Sequence, residues 1–478
     1  MTLSLAKRTC CIVFVVLALG CGGGLPRAPS SSLPAYTYAI APPPVGSWLL
    51  GVEATIERAP SAKLVAPWAV GAVRDLAVVE GGGLAPVKQE GDGWVIPECV
   101  ARCTLSYAID LAALASSCHR MDCEHRVGDA VLGQASAFML VPDPIGSARV
   151  RVRVTGSSRE RFATGLERDP AGGYTIRAGE LGEASYTAFG TLRRAHVAVA
   201  GARLDVAFLG APVDMGDAGV LGWIGDSASC VAQLFGRFPT DATVFIVPVS
   251  GADHVLFGRV LSLTGASAAL LFGDATSRVS QPRDWVVVHE FLHLGSPSFV
   301  GEGHWLEEGL ATYYEPIVRH RAGFTTEAEL WGHFLREMPR GLRKGGDAVD
   351  LEDRSDIDST YWGGALFALL ADIRIREATR GVHSLDDVMR AALAREGDAT
   401  HVARVADFIR MGDEVTGIHA LADVHDSWVV RGENVSIADL FAKLGVEADE
   451  NAGPKGVSFD DHAPMADVRR AIGARGGR

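Results

Sequence analysis

The chain has 478 residues, of which 48% are apolar and 22% are charged, and its formal net charge at pH 7 is −13. This composition is that of a globular protein with at least one large core, so it excludes disordered and fibrous chains. The sequence has no long run of Lys or Arg, so we do not expect a nucleic acid as a partner.

The start of the chain has the order of a bacterial export signal. Lys7 and Arg8 precede an apolar run over 12–19, which is too short to span a bilayer. The segment LALGC, which ends at Cys21, resembles a lipobox with an altered order of its Leu and small residues. We therefore predict a signal peptide over 1–20, a lipid on Cys21 and a place in the bacterial cell envelope, facing the periplasm or the exterior. Membrane contact is expected only through this lipid.

The next segments predict a tether and then a β-rich region. Residues 21–34 are rich in Gly, Pro and Ser and lack apolar periodicity, which is typical of a flexible linker. Alternating apolar and polar residues then predict strands, as in RVRVRV over 149–154 and HVAVAGARLDVAFLG over 196–210. We predict a β-rich N-terminal domain over 35–210, with one helix near 110–117.

A cluster of cysteines lies in this β-rich region: Cys99, Cys103, Cys118 and Cys123. In an exported protein such a cluster predicts two disulfides, for which three pairings are possible. A zinc ribbon is the alternative, although its cysteines usually lie closer together. Cys230 is left over, and we expect it to be a buried free thiol.

After residue 210 the pattern changes to a mixed lobe and then to helices. A helix over about 221–235 precedes apolar strands that begin at Ala242 and Ser267. The helices predicted next are Asp284–Leu294, Trp305–Arg321, Glu327–Glu337, Tyr361–Thr379, Leu385–Ala394 and Val402–Met411. We predict a catalytic lobe over 211–340 and a helical C-terminal part over 341–478, so the fold class is α+β.

One helix of the lobe carries a motif with a chemical meaning. Residues 285–294 read WVVVHEFLHL, which places His289 and His293 four residues apart on one helical face. Two imidazoles at this spacing can bind one zinc ion, and Glu290 can act as general base toward an attacking water. A pair of hydrogen-bonded core histidines is the alternative. The apolar surroundings favour the metal, because burying these polar groups without a partner is costly.

The third ligand is expected on the next helix, in HWLEEGLATYYE, which begins at His304. Glu307 and Glu308 point about 100° apart on a helix, so only one of them can face the metal. Glu308 shares a face with Glu315 and is the better candidate. Glu302 lies in the preceding loop, which holds a ligand less rigidly. We therefore predict one zinc ion bound by three residues: His289, His293 and Glu308.

The segment WLEEGLATYYE from Trp305 fits the pattern Trp-Leu-x-Glu-Gly-x-Ala-x-Tyr-x-Glu, and it resembles the second motif of the gluzincin peptidases. The resemblance implies a thermolysin-like catalytic domain in which Glu308, before the Gly, is the third zinc ligand. It also implies that Glu315 supports a zinc-bound histidine from the second shell of the site. A carboxylate in such a place fixes the imidazole ring.

A later segment, YWGGALFALLADIRIREATRGVHSLDDVMRAAL from Tyr361, is similar to the glycyl aminopeptidase family, a gluzincin group related to the membrane alanine aminopeptidases. With SFDDHAPMADVRRAI from Ser458, the resemblance covers roughly 210–475. It implies that the hydroxyl of Tyr361 stabilises the oxyanion of the tetrahedral intermediate. A role as a core aromatic is the alternative. Gly363 stands where the family pattern has Lys.

The chain departs from related aminopeptidases in the stretch that precedes the His motif. Those enzymes carry a Gly-rich segment with a Glu that binds the free amino group of the substrate. The corresponding stretch, GRVLSLTGASAALLFGDATS from Gly258, contains no Glu, and its nearest acid, Asp274, suits a turn equally well. Without that carboxylate an ammonium group loses its charge-assisted partner. The sequence therefore predicts a zinc metallopeptidase acting on peptides or proteins and leaves exopeptidase or endopeptidase action open.

Two rival functions are left open by the residues. An envelope lipoprotein that binds peptides or surface polymers would use zinc only structurally and would need a fourth protein ligand, for which His304 is the nearby residue. An intact Glu290 and a candidate oxyanion tyrosine favour the enzyme, because a structural site needs neither. The second rival is a hydrolase that uses the same site on another electrophile.

Overall fold

The computed structural model describes residues 35–67, 69–116, 121, 124–299, 301–342, 351–353, 355–433, 435–449 and 456–474. The predicted signal peptide, the predicted lipidation site Cys21 and the predicted tether lie outside the described residues, as do Cys118 and Cys123. Within the described ranges, no helix has the length and hydrophobicity needed to span a bilayer.

The N-terminal region is formed mainly by short strands. In chain order they are β1 Ala35–Ala41, β2 Leu49–Glu57, β3 Lys63–Val65, β4 Val73–Glu80, β5 Gly83–Pro86, β6 Gly93–Val95, β7 Arg102–Asp110, β8 His125–Val127, β9 Ala130–Gln134, β10 Val141–Pro142, β11 Arg149–Val154, β12 Phe162–Thr164, β13 Tyr174–Arg177 and β14 Tyr186–Phe189. They form three sheets, with the orders β13-β11-β1-β2-β7-β4-β5, β10-β3-β6 and β12-β14-β9-β8. Every second residue of β1 and β7 is buried, because side chains alternate between the two faces of a strand.

A further sheet lies at the centre of the chain. Its strands are β15 Arg193–Val199, β16 Ala202–Phe208, β17 Ala242–Val249, β18 Val255–Leu261 and β19 Ser267–Gly273. The order is β15-β16-β17-β19-β18, so β18 is an edge strand, and it runs antiparallel to β19. A domain boundary at residue 210 would divide this sheet, because β16 pairs in parallel with β17. The other predicted domain boundaries stay predictions.

Helices dominate the rest of the chain. They are α1 Leu111–Ser116, which belongs to the N-terminal region, and then α2 Gly216–Phe235, α3 Val286–His293, α4 His304–Ala322, α5 Glu327–Glu337, α6 Gly364–Thr379, α7 Leu385–Arg395, α8 Val405–Thr416, α9 Ala420–Val424, α10 Ile437–Leu444 and α11 Ala466–Gly473. A π-helical turn, Ser359–Gly363, leads directly into α6. A two-stranded ribbon pairs β20 Val446–Ala448 with β21 Val457–Phe459.

Local signals explain where two of the helices begin. Helix α5 has the predicted bounds because Thr326 and Glu329 form a reciprocal capping box at its start. The helix predicted from Val402 begins only at Val405. The preceding residues pair instead with the loop between α3 and α4, where Ser298 N–H donates to the His401 carbonyl (2.8 Å) and Ala403 N–H donates to the Ser298 carbonyl (3.1 Å).

The central sheet is covered on both faces. One face, which includes Val244 and Leu270, packs on the helices in the largest cluster of buried apolar side chains. The opposite face, which includes Phe245, packs on Leu132 and Tyr186 from the N-terminal sheets. This arrangement explains why β19 is buried along its whole length and is almost entirely apolar. The predicted α+β class, with a β-rich N-terminal region and a helical C-terminal part, is confirmed.

The described cysteines are arranged as follows. Cys99 and Cys103 form a disulfide at the start of β7. This bond belongs to one of the three possible pairings of the four clustered cysteines. Cys230 on α2 is free and buried, and burial raises the pKa of its thiol to about 12. Such a thiol is inert as a nucleophile at neutral pH.

Candidate active site

Helix α3 is fixed at its start by a buried carboxylate. Asp284 accepts hydrogen bonds from the backbone N–H groups of Val286 (3.1 Å) and Val287 (3.3 Å) and from the indole N–H of Trp223 (3.2 Å). These contacts satisfy donors that the first turn of a helix leaves unpaired. The apolar face of α3 packs in the core, which leaves the motif residues at the opposite side.

The structure brings the three predicted ligands together. Nε2 of His289 lies 3.1 Å from Oε2 of Glu308, and Nε2 of His293 lies 3.5 Å from the same oxygen. The candidate ligand atoms of the three residues all lie within 4.8 Å of one another. A His-His-Glu set is a donor set that zinc favours and that leaves one coordination position open. The residues present therefore fit a zinc ion.

The charges of this group are mutually dependent. Burial opposes ionisation of Glu308, but the charges of His293 and His289 and the hydrogen bonds from them outweigh it and hold the pKa of Glu308 well below its usual range. Burial likewise opposes protonation of His293, yet Glu308 raises the pKa of His293 to about 9. The side chains of the three residues thus form a compact, paired cluster inside an apolar wall, as buried charges require.

Glu290 lies beside this cluster and beneath the edge strand β18. Burial raises the pKa of its carboxyl group, although the N–H of Val260 donates a hydrogen bond to it. A side-chain carbon at Gly258 would overlap the side chain of Glu290, so this strand can lie directly against the carboxylate only because position 258 is Gly. A raised pKa suits a carboxylate that takes a proton and later returns it.

Tyr361 also contacts this group. Its ring stacks on the imidazole of His289, with the ring centroids 5.8 Å apart and the planes within 5°. Burial, the charges of Glu308 and Glu290, and a hydrogen bond to Glu308 all raise the pKa of the Tyr361 hydroxyl, which therefore remains a proton donor. The residue lies in the π-helical turn before α6, and such turns often occur at functional sites.

A contact between glycines allows Tyr361 to approach the ligands. A side-chain carbon at Gly309 on α4 would overlap the backbone of Gly364, and one at Gly364 would overlap the carbonyl of Trp305. The two backbones therefore touch without intervening side chains. This contact brings the turn with Tyr361 against the helix with Glu308.

Glu315 lies two turns after Glu308 and is buried. Oε1 of Glu315 accepts a hydrogen bond from Nη1 of Arg319 at 2.6 Å. Burial raises the pKa of Glu315, and the charges of Arg319 and His289 partly offset that effect. Glu315 shares a face of α4 with Glu308, and its role in supporting a ligand stays a prediction.

The other candidates have different places. Glu307 accepts from the hydroxyl of Ser298 and from the N–H of Phe299, both at 3.0 Å, so it holds the loop before α4. His304 lies 3.9 Å from the second carboxylate oxygen of Glu308 and is outside the group of three. Glu302 lines a separate cavity of about 690 Å³ next to α8 and α9. Asp274 accepts from the N–H of Gly251 at 3.0 Å, as a turn residue does.

Sequence reasoning did not identify Gly258, Val260, Arg319 or Gly364. No strand is predicted over 255–261, so Gly258 and Val260 stand only within the stretch that lacks a Glu, and Arg319 is one of several charges near the end of a predicted helix. No local pattern indicates a contact between two backbones far apart in sequence. The adjacent glycines Gly363 and Gly364, near the start of a predicted helix, were the one sequence signal for this contact.

Comparison with known proteins relates this geometry to a known fold. No protein-family model matches the chain, and no curated protein matches its sequence. An aminopeptidase N family protein from Idiomarina loihiensis matches in structure with a TM-score of 0.62 at 16% identity, over 86% of this chain and 78% of that one. The chain therefore has the fold of that aminopeptidase N family protein, in agreement with the gluzincin resemblance.

Further structures match at lower similarity. An M1 zinc metallopeptidase from Deinococcus radiodurans has a TM-score of 0.49 at 13% identity, over 84% of this chain and 95% of that one. Legionella pneumophila aminopeptidase A, in complex with aspartic acid, has a TM-score of 0.48 at 13% identity, over 83% of this chain and 49% of that one.

Proposed function

We propose that this chain is an exported, lipid-anchored zinc metallopeptidase that hydrolyses peptide bonds. The observation that carries the proposal is the grouping of His289, His293 and Glu308 within 4.8 Å, with Glu290 and Tyr361 next to them. A structural zinc site has no use for an additional buried carboxylate and a tyrosine hydroxyl aimed at the same point. The aminopeptidase N fold supports the same class.

The residues that would hold zinc are His289, His293 and Glu308. When bound, zinc activates water as a nucleophile and polarises the carbonyl of the scissile bond. The cluster excludes most solvent, since the side chains of His289 and Glu308 are only 4% and 11% exposed. Low solvent access strengthens every charge interaction within the site.

Glu290 is the proposed general base. Its carboxylate takes a proton from the attacking water and passes that proton to the leaving amine. Burial favours the protonated form more than in water, which makes the return of the proton easier, while the Val260 N–H keeps the carboxylate oriented. The hydroxyl of Tyr361 is the proposed donor to the oxyanion of the tetrahedral intermediate.

The edge strand bears on the choice of substrate. β18 presents Gly258 and Val260 to Glu290. Glycine has no side chain, and the side chain of valine cannot bind an ammonium group. This side of the site therefore gives no charge-assisted recognition of a free N-terminus. We propose peptides or proteins as substrates, with no dependence on a free amino group at this strand.

The test is metal content together with cleavage, using the full chain in detergent. We expect about one zinc ion per wild-type chain, loss of zinc in Glu308→Ala, and zinc-dependent cleavage of peptides. Peptides that are free or acetylated at the N-terminus should be compared at equal concentration, and similar rates would support the proposed role of β18.

Two results would contradict the proposal. A wild-type chain without zinc would remove the metal site. A chain with zinc that cleaves neither peptide set would favour a binding lipoprotein instead. The lipid on Cys21 is tested separately by incorporation of labelled palmitate, which Cys21→Ser should abolish.

A further inference from the structure

Arg319 on α4 is a partly exposed residue whose guanidinium has two specific partners. Nη1 donates to Oε1 of Glu315 at 2.6 Å, and Nη2 donates to the carbonyl of Pro282 at 2.7 Å. The side chains of Arg319 and Glu315 are 11% and 6% exposed. A planar guanidinium that makes two hydrogen bonds in different directions fixes its partners more firmly than a Lys could.

These two partners belong to different parts of the candidate site. Pro282 lies in the turn before Asp284, whose carboxylate caps α3. Glu315 lies on α4, the helix that carries Glu308. One guanidinium therefore joins the helix with the third ligand to the start of the helix with both histidines.

The charge of Arg319 also acts on the carboxylates of both helices. Burial raises the pKa of Asp284 and of Glu315, and in both cases the charge of Arg319 opposes that rise. Arg319 thus stabilises two buried anions that would otherwise be costly.

The orientation of His289 connects this group to the metal position. Nε2 of His289 lies 3.1 Å from Oε2 of Glu308, so Nδ1 is turned away from the metal position, and Glu315 follows Glu308 by seven residues on the same face of α4. Metal-bound histidines commonly donate their second N–H to a carboxylate, which sets the plane of the ring.

We propose that Arg319 is a positioning residue of the zinc site, which holds Glu315 and the start of α3 so that His289 is oriented for the metal. Arg319 itself is directed toward Glu315 and Pro282. The inference rests on the proposed function, since it concerns the same metal site.

A purely structural role for Arg319 makes a different prediction, and the chain offers a matched control. Arg321 lies on the same helix with a side chain that is 4% exposed. Its Nη1 donates to Oδ2 of Asp386 and its Nη2 to the carbonyl of Ile472, both at 2.8 Å. Replacing Arg321 removes a buried guanidinium of equal size without affecting Glu315.

The experiment measures the zinc dissociation constant of the full chain by competition with a chromogenic chelator, at a temperature where circular dichroism shows each variant folded. The variants are Arg319→Met, Arg319→Lys, Glu315→Gln, the double variant Glu315→Gln/Arg319→Met, and Arg321→Met. We expect zinc binding about 10- to 100-fold weaker in Arg319→Met and in Glu315→Gln, with no further loss in the double variant. Arg319→Lys should fall between wild type and Arg319→Met, and Arg321→Met should bind as wild type does.

The inference is overturned if Arg319→Met binds zinc within about twofold of wild type, if Arg321→Met weakens binding equally, or if the two single losses multiply in the double variant. Should Arg319→Met not fold, unchanged affinity in Arg319→Lys and Glu315→Gln overturns it. A wild-type chain that binds no zinc instead contradicts the proposed function, so the two failures can be distinguished.

Discussion

The N-terminal sheets and the helical part of the chain bury different kinds of side chain. Among the described residues before 210, Arg161 is the one buried residue with a charged side chain. From residue 284 onward many are buried: Asp284, His289, Glu290, Glu308, Glu315, Arg321, Asp372, Arg376, Asp386, Asp413 and Arg469. The sheets thus follow the rule that charges stay in water, and the helical part does not.

The helical part is therefore where the chain contains charged side chains whose burial costs stability. Two of the buried carboxylates of the helical part, Asp372 and Asp386, are hydrogen-bonded to side chains of α4. Tyr313 donates to Asp372 at 2.8 Å, and Tyr314 donates to Asp386 at 3.1 Å. The face of α4 with Glu308 and Glu315 carries the candidate site, while its opposite face is held by these buried bonds. Such pairs contribute little net stability compared with apolar contacts, but they fix geometry.

The largest effect should come from Glu290, the buried carboxylate that is proposed as general base. Glu290→Gln should lower kcat by about 10³-fold or more, because the amide cannot take a proton from water. Zinc content and unfolding temperature should stay close to wild type, since a neutral side chain of the same shape replaces a buried carboxylate. Steady-state kinetics and metal analysis check this, with Glu302→Gln as control. An active Glu290→Gln enzyme would end the proposed mechanism.

A buried ion pair of the helical part should come next. Arg321→Met should lower the free energy of unfolding by about 3–5 kcal/mol, because it leaves the carboxylate of Asp386 buried without its cation. Urea denaturation monitored by circular dichroism measures the change. A loss below about 1 kcal/mol would mean that this buried ion pair of the helical part contributes no more to stability than an exposed one.

The cap of α3 should give a smaller, pH-dependent effect. Burial raises the pKa of Asp284 to about 6, so this group releases its proton later in the folded chain than in the unfolded chain. Stability from Asp284 is therefore full below about pH 3 and is lost as the pH rises through about 6, by about 3 kcal/mol in total. Unfolding free energies at pH 4 and pH 7 should show most of this change in wild type relative to Asp284→Asn. Equal pH dependence of the two proteins would contradict it.

The smallest effect belongs to the surface of the N-terminal sheet. Nη1 of Arg102 lies 3.2 Å from Oε1 of Glu57, with side chains 68% and 34% exposed. Arg102→Met should change the free energy of unfolding by less than about 1 kcal/mol, because water screens such a pair. The same urea series measures it. A loss as large as that of Arg321→Met would remove the contrast between the regions.

Sequence patterns predicted what depends on neighbours along the chain. The strands Arg149–Val154 and Ser267–Gly273 and the helix Glu327–Glu337 have the predicted bounds, because periodicity and capping act locally. The grouping of His289, His293 and Glu308 also follows from spacing on two helices. Their roles as ligands remain proposals that metal analysis must test.

Features that depend on distant parts of the chain could not be predicted in this way. The strands before residue 210 alternate in the same manner whichever sheet they join, so the pairing of β16 with β17 could not be predicted. The turn before α6 is π-helical, a small change of backbone winding that residue periodicity does not record. Arg319 looked like an ordinary basic residue near a helix end, because its partner Pro282 is distant in sequence.

The contact between Gly309 and Gly364 has a consequence for motion. Because the backbones of α4 and the start of α6 touch directly, the two helices cannot slide or separate without opening a gap that no side chain fills. Glu308 and Tyr361 should therefore travel as one rigid body. We expect a bulky substrate to displace β18, the edge strand over Glu290, rather than the helices, so that access to the candidate site changes while the distance between Glu308 and Tyr361 stays constant.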